Sequence, residues 1–438
     1  MSDDPRKTIL ERPMSRFQVL AVAVTVGLNA LDGFDVLAIS FASPGIAAEW
    51  GIERGALGVV LAMELFGMAV GSMTIGGIAD RIGRRPTILA CLAVMACGMF
   101  LCTMATGILS LSIFRVLTGL GIGGMLAAIN AVAAEFANGR RRNLAVSIMA
   151  IGYPVGAVIG GTIAAVLLQH FTWRAVFLFG AIVSACFIPL VLWRVPESIH
   201  FLTKRQPAGA LDRVNRTLRR MGHPVSTGLP AATDEEKSQS VMDIFRPALL
   251  PITAAVTAAY FLHVTTFYFM LKWIPKIVAD MGFTAAEAAS TLVWANVGGA
   301  AGGAVLGLLT QRFALKPLTI GVLVVSSVAV TVFGYSSANL SEIAILCAIS
   351  GFFTNAGIVG LYAIVAQSFP THVRATGTGF VVGLGRGGSA LAPIIAGYLF
   401  QAGFVLPTVA MVMACGSILG AAVLLTLRSR PKADPASL

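Results

Sequence analysis

The chain has 438 residues, of which 57% are hydrophobic and 12% charged. Because a water-facing surface normally requires about 25% charged residues, this composition excludes an ordinary soluble enzyme and indicates a protein solvated by lipid. The formal net charge is +11, but the basic residues lie in short segments between apolar runs, which favours a role in membrane topology over nucleic-acid binding.

Apolar runs of the length needed to cross a bilayer, about 20 residues, predict an all-α membrane protein with twelve transmembrane helices. The predicted helices span residues 17–42, 57–79, 86–106, 109–136, 143–168, 173–193, 248–273, 285–310, 318–338, 341–367, 376–400 and 404–427. The intervening composition divides the chain into a leader (1–16), a first six-helix bundle (17–193), a hydrophilic linker (194–247), a second six-helix bundle (248–427) and a tail (428–438). Of the 31 lysines and arginines, 25 fall in segments on one side of the membrane and 4 on the other, so the positive-inside rule predicts that both termini are cytoplasmic.

Three acidic residues fall inside the first two predicted helices. Asp32 and Asp35 belong to a D-G-F-D string and share one helix face, and Glu64 lies in the second helix. An ionised carboxylate in the bilayer costs at least about 2.5 kcal/mol, so each acid must face a cavity, pair with a cation or take a proton. All three are candidates for proton coupling. The alternatives are an ion pair between Asp35 and Arg115 of the fourth helix, and contact of Glu64 with a water-filled vestibule.

The loop after the second helix carries a G-G-x-x-D-R-x-G-R-R string from Gly76 to Arg85. An acid beside several arginines at a helix end can form a charge network that holds one conformation and breaks in another. The predicted conformational latch comprises Asp80, Arg81, Arg85, Glu135 and Arg141. Alternatively, the arginines only fix the orientation of the helices in the membrane. A similar segment recurs at 307–317, an offset of 231 residues, which indicates that the two halves are structural duplicates.

The second half contributes one histidine and one arginine inside predicted helices. His263 lies 231 residues after Asp32 and is a candidate for a proton relay or for a helix–helix hydrogen bond. Arg386 has no acid within one helical turn and is flanked by glycines, so its guanidinium is suited to hold a carboxylate with two hydrogen bonds. The alternative for Arg386 is an ion pair with one of the three acids.

Several of these motifs together resemble a known family. The Gly76–Arg85 string, the twelve helices and the central linker resemble the major facilitator superfamily. The D-G-F-D string of this chain is similar to the signature of the aromatic acid:proton symporter branch of that superfamily. Four further motifs are also similar to that branch: Arg115 with Gly119-x-Gly121-x-Gly123-Gly124, Pro196-Glu197-Ser198, Arg374-Ala375-Thr376-Gly377 and Gly385-Arg386-x-Gly388. The resemblance implies two pseudo-symmetric six-helix bundles in a bacterial cytoplasmic membrane, acting as a monomer that imports a benzoate-like carboxylate with protons by alternating access.

The resemblance also places candidate substrate contacts around a central cavity. Besides Arg386 these are Arg115, Phe267, Tyr268, Asn296, Asn355 and Tyr362. Packing is the alternative role for the aromatic residues, and helix–helix hydrogen bonding for the asparagines. We expect no enzyme activity, cofactor, metal or nucleic-acid partner, and the chain lacks a G-x-x-x-x-G-K-[ST] phosphate loop for ATP. Alternative functions are a drug or organic-ion exporter, a proton-coupled carrier for nonaromatic acids, and a membrane-bound sensor that binds without transporting.

Overall fold

The structure, a computed structural model, describes residues 4–230, 241–247, 249–370 and 373–427, and within those ranges it is all-helical. The helices are α1 (Pro5–Glu11), α2 (Arg16–Trp50), α3 (Arg54–Ile82), α4 (Arg84–Thr103), α5 (Ile108–Phe136), α6 (Arg142–His170), α7 (Arg174–Arg194), α8 (Ile199–Arg205), α9 (Ala210–Met221), a 3-10 helix (Val241–Phe245), α10 (Leu250–Asp280), α11 (Ala285–Leu309), α12 (Leu315–Gly334), α13 (Leu340–Ser368), α14 (Arg374–Gln401) and α15 (Leu406–Thr426). Twelve of them are long and apolar enough to cross a membrane, which confirms the predicted fold class. The predicted tail, 428–438, lies outside the described residues.

We call α2–α7 the first half and α10–α15 the second half. The terminal face is the face at which α2 begins and α15 ends, and the distal face is the other. Two spans continue further toward the distal face than predicted. Helix α2 continues past residue 42 through Pro44, and the Ser43 hydroxyl donates at 2.8 Å to the Ser40 carbonyl that Pro44 cannot serve. Helix α10 continues past residue 273 to Asp280, so Lys272 lies eight residues before the end of its span.

Glycines allow the helix backbones of each half to approach closely. A Cβ atom at Gly67 or Gly71 of α3 would collide with main-chain carbonyl oxygens of α5, and one at Gly298 or Gly302 of α11 would collide with carbonyl oxygens of α13. Without those Cβ atoms the paired helices pack backbone to backbone, as small residues permit in membranes. The two pairs of glycines are separated by the 231-residue offset found in the sequence, so the same packing is repeated in both halves.

The halves meet along α2 with α10, α3 with α14, and α6 with α11. At the distal face Arg54 of α3 forms an ion pair with Asp280 of α10 at 3.0 Å. Gly58 of α3 packs directly against the Pro393 carbonyl of α14. These contacts between the halves close the distal face.

Helices α1, α8 and α9 are too short to cross a membrane and accompany the first half at the terminal face. His223, just after α9, lies with its Nε2 3.1 Å from the Gln18 side-chain oxygen of α2. Burial and the nearby Arg12 charge lower the pKa of His223, so this contact is made by a neutral imidazole.

Candidate functional site

Two carboxylates of α2 lie buried without hydrogen bonds. Asp32 is 2% exposed and Asp35 is fully buried, and none of their four oxygens has a hydrogen-bond partner among the described residues. Cations lie within electrostatic range of each: Arg386 for Asp32, and Arg115 for Asp35. At these positions an ionised carboxylate of Asp32 or Asp35 needs a nearby cation to stabilise it, and without that cation the carboxyl group takes up a proton.

Glu64 of α3 is the acid that carries direct ion pairs. Its Oε2 pairs with the Arg115 guanidinium of α5, and both side chains are fully buried. Arg115 also donates at 2.9 Å to the main-chain carbonyl of Asp35, and its guanidinium lies 5.4 Å from the centre of the Phe177 ring. The structure thus brings Arg115 to the backbone of Asp35, whereas its ion-pair partner is Glu64.

Lys272 of α10 completes this buried cluster and was missed by the sequence analysis. Its Nζ lies 3.4 Å from Glu64 Oε2 and donates to the Val36 carbonyl of α2, and its side chain is fully buried. The predicted helix ended at 273, one residue after Lys272, so the sequence analysis counted Lys272 among the four basic residues on the side opposite the termini. The apolar residues that continue at Ile274 and Ile277 are the signal that could have shown that the span extends well beyond Lys272.

Arg386 of α14 reaches from the second half into the first. Its Nη1 donates at 2.9 Å to the Met68 carbonyl and also to the Ser72 hydroxyl, both in α3. The side chain is partly buried, and in the described part of the chain it forms no ion pair within 4.0 Å. Its present partners are neutral oxygens, which an anion can replace.

Tyrosines from three helices belong to the same region as Arg386 and Asp32. Tyr260 of α10 and Tyr362 of α13 join their hydroxyls at 3.0 Å, and the ring of Tyr260 packs on Gly385. Tyr268 lies within electrostatic range of Arg386, and Tyr153 of α6 within range of Asp32. Phe267 stacks edge-on against Tyr268 with ring centres 5.3 Å apart. Tyr153 and Tyr260 were not predicted, because their convergence depends on how three helices are rotated.

The other predicted polar residues of the second half make helix–helix or local hydrogen bonds. His263 donates from Nε2 to the Thr354 carbonyl and accepts at Nδ1 from the Ser417 hydroxyl, both at 2.9 Å, so its two ring nitrogens tie α10 to α13 and α15. Asn355 donates to the Gly299 carbonyl at 2.6 Å, and Asn296 donates to a carbonyl of its own helix.

The predicted latch residues lie at the terminal face of the first half. The side chain of Asp80 lies outside the described residues. Arg81 and Arg141 are exposed, and Arg85 donates at 2.6 Å to the Leu192 carbonyl at the end of α7. Glu135 pairs with Arg84 at 3.3 Å and accepts from the Ser198 hydroxyl.

Glu197 of the P-E-S string contacts the start of α4, next to the predicted latch residues. Glu197 accepts at 2.9 Å from the main-chain N–H of Arg84, at the start of α4. Gly83, the residue before Arg84, has φ = 111°, and a Cβ atom on Gly83 would collide with the Glu197 carboxylate. The glycine therefore serves both the turn and the close approach of the acid.

The fold and the buried charges define a multi-pass membrane transporter built from two duplicated halves. A sequence model of the Major Facilitator Superfamily matches residues 25–306 and 254–437, and the chain belongs to that family.

Relatives with named substrates are transporters of aromatic acids. The chain is 28% identical to a gallate transporter of Pseudomonas putida, over 99% of this chain and 97% of that protein. It is 28% identical to a 4-hydroxybenzoate transporter of Acinetobacter baylyi, over 90% and 88%. A 3-(3-hydroxy-phenyl)propionate transporter of Escherichia coli is 26% identical over 94% and 96%. The resemblance to transporters of aromatic acids is thereby confirmed.

Solved structures agree on the fold. The xylose transporter XylE of E. coli superimposes with a TM-score of 0.73 at 17% identity, covering 96% of this chain and 100% of that one. The nucleoside transporter NupG gives a TM-score of 0.73 at 12% identity, covering 94% and 99%.

Proposed function

We propose that the protein imports an aromatic carboxylate of the benzoate or hydroxybenzoate type, together with protons, across the bacterial cytoplasmic membrane. It acts as a monomer by alternating access between two six-helix bundles, 17–193 and 248–427, and the terminal face is cytoplasmic. The observation that carries the proposal is the position of Arg386. Its partly buried guanidinium is held by neutral oxygens of α3, near Asp32 and among tyrosine side chains.

The buried charges suit the joint transfer of an anion and a proton. When all are ionised, three acids (Asp32, Asp35 and Glu64) balance three bases (Arg115, Lys272 and Arg386). A carboxylate bound to Arg386 offsets the charge that otherwise stabilises ionised Asp32. Anion binding therefore favours uptake of a proton at Asp32 or, through the same cluster, at Asp35.

The transport cycle starts with the distal face open. The anion binds Arg386 and a proton binds Asp32 or Asp35, which removes the electrostatic penalty for enclosing these groups away from water. Occupancy thus favours closure of the distal face and opening of the terminal face. The predicted latch residues Asp80, Arg81, Arg85, Glu135 and Arg141 belong to the terminal face and change their contacts at that step, and the proton leaves before or with the anion.

The identities of the relatives support the aromatic substrate, because the named compounds share a ring and a carboxylate. The tyrosines beside Arg386 offer ring faces for stacking and hydroxyls for a ring substituent. Proton-coupled carriage of nonaromatic acids uses the same arginine but has no need of the aromatic side chains, and an organic-ion exporter has no need of the arginine.

Binding competition distinguishes these functions. Purified protein is titrated with 4-hydroxybenzoate, gallate, benzoate, citrate and a sugar acid, with Arg386→Ala as the comparison. We expect the three aromatic acids to bind, citrate and the sugar acid to bind at least about tenfold more weakly, and the variant to lose at least about tenfold in affinity. Preference for citrate, or equal binding to the variant, contradicts the proposal.

A further inference from the structure

Among the described residues, two ion pairs connect the halves near the distal face, and they differ in burial. Arg54 and Asp280 are 43% and 30% exposed, whereas Lys272 and Glu64 are fully buried. An exposed pair is weakened by solvent and salt. A buried ammonium without its partner is costly, so Lys272 makes closure of this face depend on Glu64.

Glu64 is fixed within the first half. Its partner Arg115 belongs to the same half, and the backbones of α3 and α5 touch where a Cβ at Gly119 would collide with the Glu64 carbonyl. Backbone packing of this kind holds α3 and α5 together. Opening of the distal face therefore leaves Glu64 with Arg115 and removes only Lys272, which belongs to α10.

Lys272 lies on α10 between the distal face and Tyr268. It lies eight residues before the end of α10 at Asp280, about 12 Å along the helix. Tyr268 is four residues earlier, so the two side chains share one face of α10, and Tyr268 lies within electrostatic range of Arg386. Lys272, Tyr268 and Arg386 all belong to the second half, and Lys272 is the one nearest the distal face.

We propose that Lys272 is the gate charge of the distal face. It seals that face by pairing with Glu64 and the Val36 carbonyl, and when the halves part it becomes the first binding group for the incoming carboxylate, ahead of Arg386. The anion part of this inference rests on the proposed function, whereas the seal does not.

The seal is tested by distances between spin labels placed on the distal loops of the two halves. Cysteines replace Thr172 and Phe404, both exposed, in a background where the exposed Cys97, Cys186 and Cys415 are alanine. Lys272→Met is compared with Lys272→Arg and with Lys276→Met, in reconstituted protein without substrate. Lys276 is the matched control because it pairs with Asp280 of its own helix.

We expect Lys272→Met to increase the long-distance population relative to the closed one by about tenfold or more. Lys272→Arg should retain the parent distribution, since it keeps the charge, and Lys276→Met should match the parent. If Lys272→Met does not fold, Lys272→Gln takes its place. Unchanged distances in the neutral variant overturn the seal.

Binding of the anion is tested with the distal face held open by Gly58→Trp, whose side chain occupies the contact with Pro393. The Kd for 4-hydroxybenzoate in this background is expected to rise about tenfold when Lys272→Met is added. An unchanged Kd overturns the anion-receiving role. If the Gly58→Trp protein binds no aromatic acid, the proposed substrate and the anion-receiving role both fail, and the spin-label distances still decide the seal.

Discussion

Glu64 and Arg115 form an ion pair in which neither side chain is exposed, inside the first half of the molecule. Lys272 extends the pair across to the second half, 3.4 Å from the same carboxylate oxygen. One acid thus pairs with one partner in its own half and with a second partner from the other half. Glu64 therefore contributes both to the stability of the first half and to the contact between the halves.

Replacement of Arg115 should destabilise the protein strongly. Arg115→Met removes the buried partner of Glu64 in its own half and the hydrogen bond to the Asp35 carbonyl, and leaves the carboxylate only the longer contact with Lys272. Breaking a buried ion pair in this way should lower the free energy of unfolding by about 3–5 kcal/mol. Arg54→Met removes an exposed ion pair and should cost about 0–1 kcal/mol. Denaturant unfolding in detergent micelles measures both. Equal losses in the two variants would show that burial of the Glu64 pair carries no special weight.

The glycine contacts of α11 should be intolerant of side chains. A Cβ at Gly302 meets the Phe352 carbonyl, whereas one at Gly307 meets nothing within 4 Å. We expect Gly302→Leu to lower the free energy of unfolding by about 1–3 kcal/mol or more, because the backbones of α11 and α13 must separate. Gly307→Leu, on the same helix, should stay within about 0.5 kcal/mol of the parent. The thermal midpoints of the purified variants decide the matter, and an equal effect at both positions refutes the packing argument.

A bulky residue at Gly58 should hold the distal face open. Gly58→Trp places an indole where the Pro393 carbonyl and the Gly397 backbone now lie. We expect this variant to bind substrate but to transport less than about 1% of the parent rate, because α3 and α14 cannot close together. Gly107→Trp is the control on the same face, since a Cβ at Gly107 meets no atom within 4 Å. Normal transport by Gly58→Trp is incompatible with alternating access at this contact.

Asp32 should be required for proton coupling and dispensable for exchange of substrate across the membrane. Asn cannot take up a proton, so Asp32→Asn should lose uptake against a concentration gradient while keeping counterflow, in which labelled substrate exchanges with unlabelled. Asp212→Asn, at an exposed position on α9, is the control. Both assays use the same vesicles. Gradient-driven uptake by Asp32→Asn with ordinary pH dependence assigns the proton site elsewhere.

Sequence reasoning reached the spans and the buried acids because charges inside apolar runs stand out against their surroundings. Asp32, Asp35 and Glu64 were all found in this way, and the fold followed from the number of spans and the repeat. The partners of these acids could not be predicted, because ion pairs between helices depend on helix rotation and depth. Arg115 was considered as a partner for Asp35, yet it pairs with Glu64 and contacts only the main chain of Asp35.

Lys272 and His263 are two further residues whose partners could not be predicted from the sequence. A lysine near the end of an apolar run fits the topology rule, so Lys272 was counted among the basic residues on the side opposite the termini, although it is fully buried. A histidine within a span is a reasonable proton carrier, but the two hydrogen-bond partners of His263 come from α13 and α15. In both residues the decisive neighbour is distant in sequence.

Concentrative uptake tests the central claim most directly. Labelled 4-hydroxybenzoate or gallate is offered to proteoliposomes under an imposed inward proton gradient, with parent, Arg386→Ala and Asp32→Asn protein in parallel. We predict that the parent accumulates the acid, that a protonophore abolishes the accumulation, and that both variants reduce it at least about tenfold. Absence of flux of any aromatic acid, or accumulation that a protonophore does not affect, would contradict proton-coupled import of an aromatic carboxylate.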